Sequence, residues 1–400
     1  MVNSIRQVGA LSDPQWIDTF QAIPRHVFLP HLLEHDKVTG EHDSDERRCR
    51  WLSHVYQDDS LVTATAHDAA LRVDIPTSSS TRPGLMARML ELLDVRDGMR
   101  VLEIGTGTGY NAGLLAHRLG DSQVTSIDID PTLVEHARRA LHDLGLSPHL
   151  IAGDGAAGVP DRAPFDRIIA TCAVAQIPLA WITQLAPGGT LLVNVRGEIA
   201  GGTLCLLTKD TSGDDEVIGP FLDIAGHFMW TRADTTRALP YDIHPTSERD
   251  QARTTTAPTT VTEIAQDITD PHFRFLTQLH IPGIRILTTS HDTPAIIRAE
   301  TTDGSWATAH PTGQISQGGT RRLWDSLFAA HGIWSDLGRP EPTRFGIVAN
   351  PTTQFVYLDH DHNWTRWPLP LLCGSGVPPT PRLVRSPASH RPQTGSPPTD

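Results

Sequence analysis

The sequence predicts an α/β chain, a parallel sheet with helices on both faces, followed by an α+β extension. Three observations predict it. Apolar runs of strand length alternate with helical repeats from about residue 82 to 208. One of those runs enters a loop with glycines at three alternate positions, 105, 107 and 109. The alternation then stops after Lys209, although 191 of the 400 residues still follow. At roughly 100–200 residues per domain, that length predicts two domains.

Residues 1–75 read as a helical and irregular lead-in: Pro14 to Ala22 is a short helix ended by Pro24, and the charged stretch 34–50 is exposed. Residues 76–231 form the α/β unit. Leu85, Met86, Met89, Leu90, Leu92 and Leu93 recur at helical spacing, and Arg100 to Ile104 is a strand. Asn111 to Leu119 is a helix, Val124 to Ile127 a strand, and Pro131 to Leu144 a helix with proline in its first turn. Strands follow at His149 to Ala152 and Phe165 to Ala170. A helix over Pro178 to Leu185 is closed by Pro187-Gly188-Gly189, before a strand at Thr190 to Val195. Residues 232–262, rich in Thr, Pro and Asp, read as a linker. Residues 263–372 read as a second compact unit, with a helix near 320–331 and strands at Phe345–Ala349 and Gln354–Leu358. The tail 373–400 reads as disordered, with seven prolines from 377 onward and few large apolar residues.

Composition excludes several classes. No run of about 18 apolar residues exists, and the N-terminus has no charged region followed by an apolar one, so neither a membrane span nor a secretory signal is expected. Cysteines 49, 172, 205 and 373 form no CxxC pair and suggest neither a disulfide framework nor a zinc site. A net charge of −13 disfavours nucleic acid as a partner. A cytoplasmic protein is the expectation. No metal is expected: His360 and His362 read as an exposed turn, and no Ser-His-Asp or Cys-His arrangement stands out.

The chemistry concentrates in Val101-Leu102-Glu103-Ile104-Gly105-Thr106-Gly107-Thr108-Gly109. Glycines permit the tight turn and close approach of a ligand to the backbone. The spacing is GxGxG, unlike the GxGxxG of dinucleotide binders, and suits a ligand without a pyrophosphate, such as S-adenosylmethionine. Asp128 lies 23 residues past Gly105, at the end of the next strand, where a carboxylate accepts ribose hydroxyls. Asp154, after the third strand, is placed to reach the adenine amino group. The bland alternative is a tight turn with two solvated loop carboxylates.

The resemblance is then specific. Ile23-Pro24-Arg25-His26-Val27-Phe28-Leu29-Pro30, the run from Val101 to Tyr110, Ser126-Ile127-Asp128, Gly153-Asp154-Gly155, Ala163 to Ile169 and Leu185 to Gly189 resemble the protein-L-isoaspartate O-methyltransferase family over residues 20–230. The resemblance implies a Rossmann-like, S-adenosylmethionine-dependent methyltransferase fold and a peptide carboxylate as methyl acceptor. The candidate cofactor residues are Glu103, Gly105, Thr106, Gly107, Thr108, Gly109, Asp128, Ile129, Asp154 and Gly155.

Two departures bear on the acceptor. The family's Ser-x-Pro element aligns with Thr81-Arg82-Pro83, so threonine replaces serine and three serines precede it. Ser78, Ser79, Ser80 and Thr81 are the candidate acceptor-facing residues; as a bland alternative, this stretch caps the helix that follows. The chain also continues about 170 residues beyond His227-Phe228-Met229-Trp230, where the repair enzymes end. This layout resembles homologues found with ribosomal peptide biosynthesis (lanthipeptides, graspetides), which implies methylation of an aspartate in a modified, macrocyclic precursor peptide. The ester would close to an aspartimide and hydrolyse to isoaspartate, with the extension recognising the peptide. Competing readings are a repair methyltransferase acting on isoaspartyl peptides and a non-catalytic peptide-binding scaffold. Tryptophans 306, 324, 334, 364 and 367 read mostly as core, with one or two free to line a peptide groove.

Overall fold

A computed structural model describes residues 1–34, 37–40, 44–68, 72–199, 202–231, 253–288, 296–360, 363–370 and 382–385. Five strands pair in parallel in the spatial order His149–Ala152, Val124–Asp128, Val101–Ile104, Phe165–Val174, Leu185–Val195. Thr203–Lys209 and Val217–Ala225 then add in antiparallel fashion. The sheet does not stop there. Phe345–Ala349 pairs with Val217–Ala225, and Gln354–His360, Asn363–Pro368 and Arg382–Arg385 follow, making eleven strands among the described residues.

Alternation along each strand builds a core on both faces. Leu102, Ile104, Ile168, Ala170, Leu191 and Val193 face one side; Val101, Ile169 and Leu192 face the other. The second side is covered by the N-terminal helix Pro14–Ala22 and the helices Pro83–Leu92, Tyr110–Leu119 and Pro131–Asp143. On the first side the core runs without a break from Leu102 through Trp181 into Phe273, Leu276, Trp334 and Trp367 of the extension. Phe275 packs between Phe221 of the sheet (4.9 Å between ring centroids) and Phe345 (5.2 Å). Such contacts each add about 0.5–1.5 kcal/mol beyond simple burial.

The expected separation at 262/263 is therefore not where the hydrogen bonding divides. An open edge at Val217–Ala225 would present unpaired backbone groups, and the extension covers it. Within the expected linker, Arg253–Thr256 is a strand and Pro258–Asp267 a helix; residues 232–252 lie outside the described residues. The strand at 253 joins Gln314–Gly318, Trp306–Ala309, Ile297–Glu300 and Arg285–Thr288 in an antiparallel five-stranded sheet, whose short alternating segments carry little periodic signal. In the tail expected to be disordered, Arg382–Arg385 is an edge strand; the remainder lies outside the described residues.

Smaller corrections have local causes. Residues 44–50 of the charged stretch are exposed, as expected, but they start a helix, Asp45–Val55, anchored beyond the stretch by buried Trp51, whose indole N–H donates to Leu29 O at 2.9 Å. Pro187-Gly188-Gly189 does not close the helix before it: the helix ends at Gln184, and the three residues form a register shift inside the strand Leu185–Val195. Trp324, Trp334, Trp364 and Trp367 are buried, and Trp306 is half-buried against Gly318. No helix among the described residues is long and apolar enough to cross a membrane, and none of their His, Cys, Asp and Glu side chains group as a metal site. His360 and His362 fall where side chains are outside the described residues.

Candidate active site

The carboxyl ends of the parallel strands border a cavity of about 560 Å³, the position at which open α/β sheets take ligands. Gly105, Gly107 and Gly109 all adopt positive φ (+100°, +52° and +88°). Their roles divide. A Cβ on Gly105 would meet Thr171 Oγ1 at 2.6 Å, and one on Gly109 would meet Ala137 Cβ at 2.7 Å. Gly109 therefore lets the helix Tyr110–Leu119 pack on Pro131–Asp143 and does not border the cavity, whereas Glu103, Gly105, Thr106, Gly107 and Thr108 do.

Asp128 ends its strand largely buried. Its Oδ2 accepts from the Gly107 amide at 2.9 Å and its Oδ1 from the Asp130 amide at 3.0 Å. Ile129 beside it is partly exposed on the cavity wall. Asp154 is exposed at the rim and caps its own turn through the Ala156 amide at 2.8 Å. Gly155 fits because a Cβ there would meet Ile104 Cγ2 at 2.7 Å, and its carbonyl accepts from the Trp181 indole at 2.8 Å.

Glu103 sits at the floor, 1% exposed. It accepts from Asn111 Nδ2 at 2.7 Å and Ser126 Oγ at 2.6 Å, and Ser126 in turn lies 2.6 Å from Thr106 Oγ1. Burial pushes its carboxyl up to about 7; the two hydrogen bonds oppose that shift, and nearby Asp128 adds to it. Two buried polar atoms at this wall, Tyr110 Oη and Asn111 Oδ1, have no protein partner. A cavity with a carboxylate at one strand end, close backbone approach at Gly107 and orphaned polar atoms on its wall fits a polar nucleoside-bearing ligand.

All four hydroxyl residues line this cavity, but they are unequally buried. Ser78, Ser79 and Ser80 end the strand Val73–Ser80, which pairs with Leu61–Asp68, and Thr81 follows it; strand alternation splits the serines. Ser78 is buried and accepts from Thr63 Oγ1 at 2.9 Å; Ser80 is buried and accepts from Arg25 Nη2 at 3.2 Å. Ser79 and Thr81 are partly exposed at the cavity. The following helix, Pro83–Leu92, is not capped by any of them. Its N-cap is Arg82, and Asp58 Oδ1 takes the Gly84 amide at 2.6 Å.

Four contributors escaped the sequence reading. Thr171 and Cys172 line the cavity; the Thr171 hydroxyl donates to Gly105 O at 2.7 Å. Their position at the carboxyl end of a predicted strand was the available signal. Burial, with Asp128 and Glu103 nearby, pushes the Cys172 thiol up to about 12, so it stays protonated and is no nucleophile. The segment Asp223–Thr231 forms the opposite wall, docked by the Ala173 amide on Met229 O (2.8 Å) and the Thr231 amide on Ala173 O (3.0 Å). No periodicity marks it. Arg25, fully buried and outside the cavity lining, bonds Ser80 Oγ and Thr81 O.

The family model for protein-L-isoaspartate(D-aspartate) O-methyltransferase matches residues 52–218. A protein-L-isoaspartate O-methyltransferase of Pyrococcus abyssi is 31% identical over 204 residues, covering 50% of this chain and 94% of that one. The chain belongs to the protein-L-isoaspartate O-methyltransferase family. An Anaeromyxobacter dehalogenans protein of the same description is 43% identical over 159 residues, covering 39% of this chain and 75% of its own. A solved protein-L-isoaspartate O-methyltransferase structure aligns over 90% of this chain and 98% of its own, at 21% identity and a TM-score of 0.49. Family membership makes the chain a protein carboxyl O-methyltransferase of Rossmann-like fold with S-adenosylmethionine as cofactor.

Proposed function

We propose that this methyltransferase acts on an aspartate side chain in a ribosomally made, modified precursor peptide in the cytoplasm, leading to an aspartimide and then to isoaspartate. One observation carries the reading: a single cavity joins the Gly107–Asp128 side to the Ser79 and Thr81 hydroxyls, and the sheet behind it is extended by the C-terminal residues. A chain that only recognised a short linear isoaspartyl segment would not require that extension.

S-adenosylmethionine, when bound, supplies an electrophilic methyl group on a sulfonium sulfur. Asp128 would hold the ribose hydroxyls, Asp154 and Ile129 the adenine, and the loop from Gly105 to Thr108 the backbone-facing side; Gly155 beside Asp154 would border the adenine. Ser79 and Thr81 would orient the acceptor carboxylate, which is ionised near neutrality and needs no general base. Held by Ser79 and Thr81, a carboxylate oxygen would be presented to the methyl group that the bound donor would supply. The residues contribute positioning and exclusion of water. Hydroxyl donors suit the task because stronger cationic partners would hold the carboxylate in its ground state. Ring closure then uses the substrate's own backbone nitrogen, with methanol leaving.

The deciding experiment supplies methyl donor with a macrocyclic aspartyl precursor peptide and, separately, a linear isoaspartyl peptide. The reading expects a precursor species heavier by one methylene, then one lighter than the starting peptide by one water. Efficient turnover of the linear peptide alone would instead favour the repair reading and match the isoaspartate O-methyltransferase named for the relatives.

A further inference from the structure

We infer that Arg25 is a positioning residue for the acceptor: from inside the protein it fixes the backbone of Ser80 and Thr81, and so aims the Ser79 and Thr81 hydroxyls at the glycine loop. The inference rests on the reading of those hydroxyls as acceptor-facing.

Arg25 opens a 3₁₀ turn, Arg25–Phe28, and is fully buried. Its guanidinium lies among main-chain carbonyls, with one side-chain oxygen, and no carboxylate accepts from it in the hydrogen bonds observed. Nη1 donates to Val55 O (2.9 Å) and Gln57 O (3.1 Å). Nη2 is shared among Asp59 O (3.0 Å), Thr81 O (3.2 Å), Ser80 Oγ (3.2 Å) and Ser80 O (3.4 Å). It thus ties the loop 55–59 to the end of the hydroxyl-bearing strand. The same loop grips the junction from the other side. Ser60 Oγ accepts from the Arg82 amide at 3.1 Å, and Asp58 holds the Gly84 amide at 2.6 Å and Arg82 Nε at 3.8 Å.

Every residue from Ser80 to Gly84 except proline is therefore pinned through backbone atoms or, at Ser80, backbone and hydroxyl. The hydroxyls of Ser79 and Thr81 are left to the cavity. The far side of the gap is close: Ser79 O stands 3.8 Å from where a Cβ on Gly107 would lie. A shift of about 1 Å at the junction would carry over directly to the alignment of acceptor and donor, a displacement that costs rate steeply. Filling space alone does not call for a guanidinium here, because burying a cation is expensive and an apolar side chain packs without that cost. Burial lowers its pKa to about 10, so it remains charged near neutrality and keeps its fork of donors.

The test compares Arg25→Lys, which keeps the charge and loses the fork, with Arg25→Met, which keeps the bulk alone. Calorimetry with S-adenosylhomocysteine, steady-state kinetics with the macrocyclic aspartyl peptide and the linear isoaspartyl peptide in parallel, and amide hydrogen exchange are read on each full-length protein. For Arg25→Lys we expect KM for the acceptor to rise about tenfold or more while S-adenosylhomocysteine affinity stays within about twofold. Exchange should quicken across residues 79–84 and stay unchanged across 101–104. An acceptor KM within about twofold of the parent overturns the inference, as does a parallel loss of acceptor and S-adenosylhomocysteine binding. If Arg25→Met does not fold, Arg25→Lys decides. If the parent protein turns over neither peptide, the proposed function fails, and unchanged exchange at 79–84 would separately dispose of the Arg25 clamp.

Discussion

The Gly107 amide donates to Asp128 Oδ2 at 2.9 Å, so the glycine loop and the end of the neighbouring strand are already locked together. The carboxylate is oriented before any ligand arrives, which reduces what binding must organise. Replacing Asp128 by alanine removes a charged acceptor and frees the loop. We expect S-adenosylhomocysteine affinity to fall by about 1.5–3 kcal/mol, one to two orders of magnitude, by calorimetry near neutral pH. Unchanged affinity would remove Asp128 from the site.

Gly109 and Gly145 separate two costs that a glycine substitution usually mixes. Both have positive φ (+88° and +74°), and Gly145 closes the helix Pro131–Asp143, where the Leu146 amide bonds Leu141 O at 2.9 Å. A Cβ on Gly109 would meet Ala137 Cβ at 2.7 Å, and one on Gly145 would meet nothing within 4 Å. Gly145→Ala should cost only the left-handed backbone term, about 1–2 kcal/mol. Gly109→Ala should add about 1–3 kcal/mol of overpacking, because the helix Pro131–Asp143 would have to move. Urea midpoints at constant slope measure both. Equal losses would mean that the two helices are not held by this contact.

What the sequence made legible follows from how local each signal was. Strands such as Val124–Asp128 and Phe345–Ala349 fall where the apolar runs predicted, because a buried strand advertises itself over four or five residues. The cavity's cofactor side was legible for the same reason: its residues follow strand ends in a fixed order. The acceptor side was only half legible. The motif located Ser78 to Thr81, but strand alternation, with Arg25 about fifty residues upstream, decided which hydroxyls are buried and bonded within the protein. The joining of Phe345–Ala349 to Val217–Ala225 was not legible at all, since pairing across more than a hundred residues leaves no local trace.

Glu103 makes stability depend on pH with a definite sign. Its carboxyl is raised to about 7 in the folded protein from an ordinary 4.5, chiefly by burial. The folded state therefore holds the proton more tightly than the unfolded chain. The contribution is fully present below about pH 4.5 and is lost as pH rises through about 7. The loss from this group approaches roughly 3 kcal/mol at 1.36 kcal/mol per pKa unit. Glu103→Gln keeps partners for Asn111 and Ser126 and abolishes the titration. The difference in unfolding free energy between parent and Glu103→Gln, followed by urea denaturation from pH 4.5 to 8, should slope across this window. A flat difference would mean that the carboxyl is not raised.

The extension and the catalytic half should unfold as one unit. Phe275, 3% exposed, is wedged between Phe221 and Phe345, and Gln354 binds the Ile177 backbone twice, accepting from its amide at 2.9 Å and donating to its carbonyl at 2.7 Å. The Gly197 amide donates to buried Gln278 at 2.8 Å, adding a third tie. Because the eleven-stranded sheet and the core on one of its faces both run from one half into the other, parting the halves would expose apolar surface and strand edges. Phe275→Ala should therefore cost about 3–5 kcal/mol. The loss should appear equally in the hydrogen-exchange free energies of amides at Leu102–Ile104 and at Ile347–Ala349. Loss confined to the second set would show two cooperative units sharing a seam, and would return the 263–372 region to the status of a separable domain.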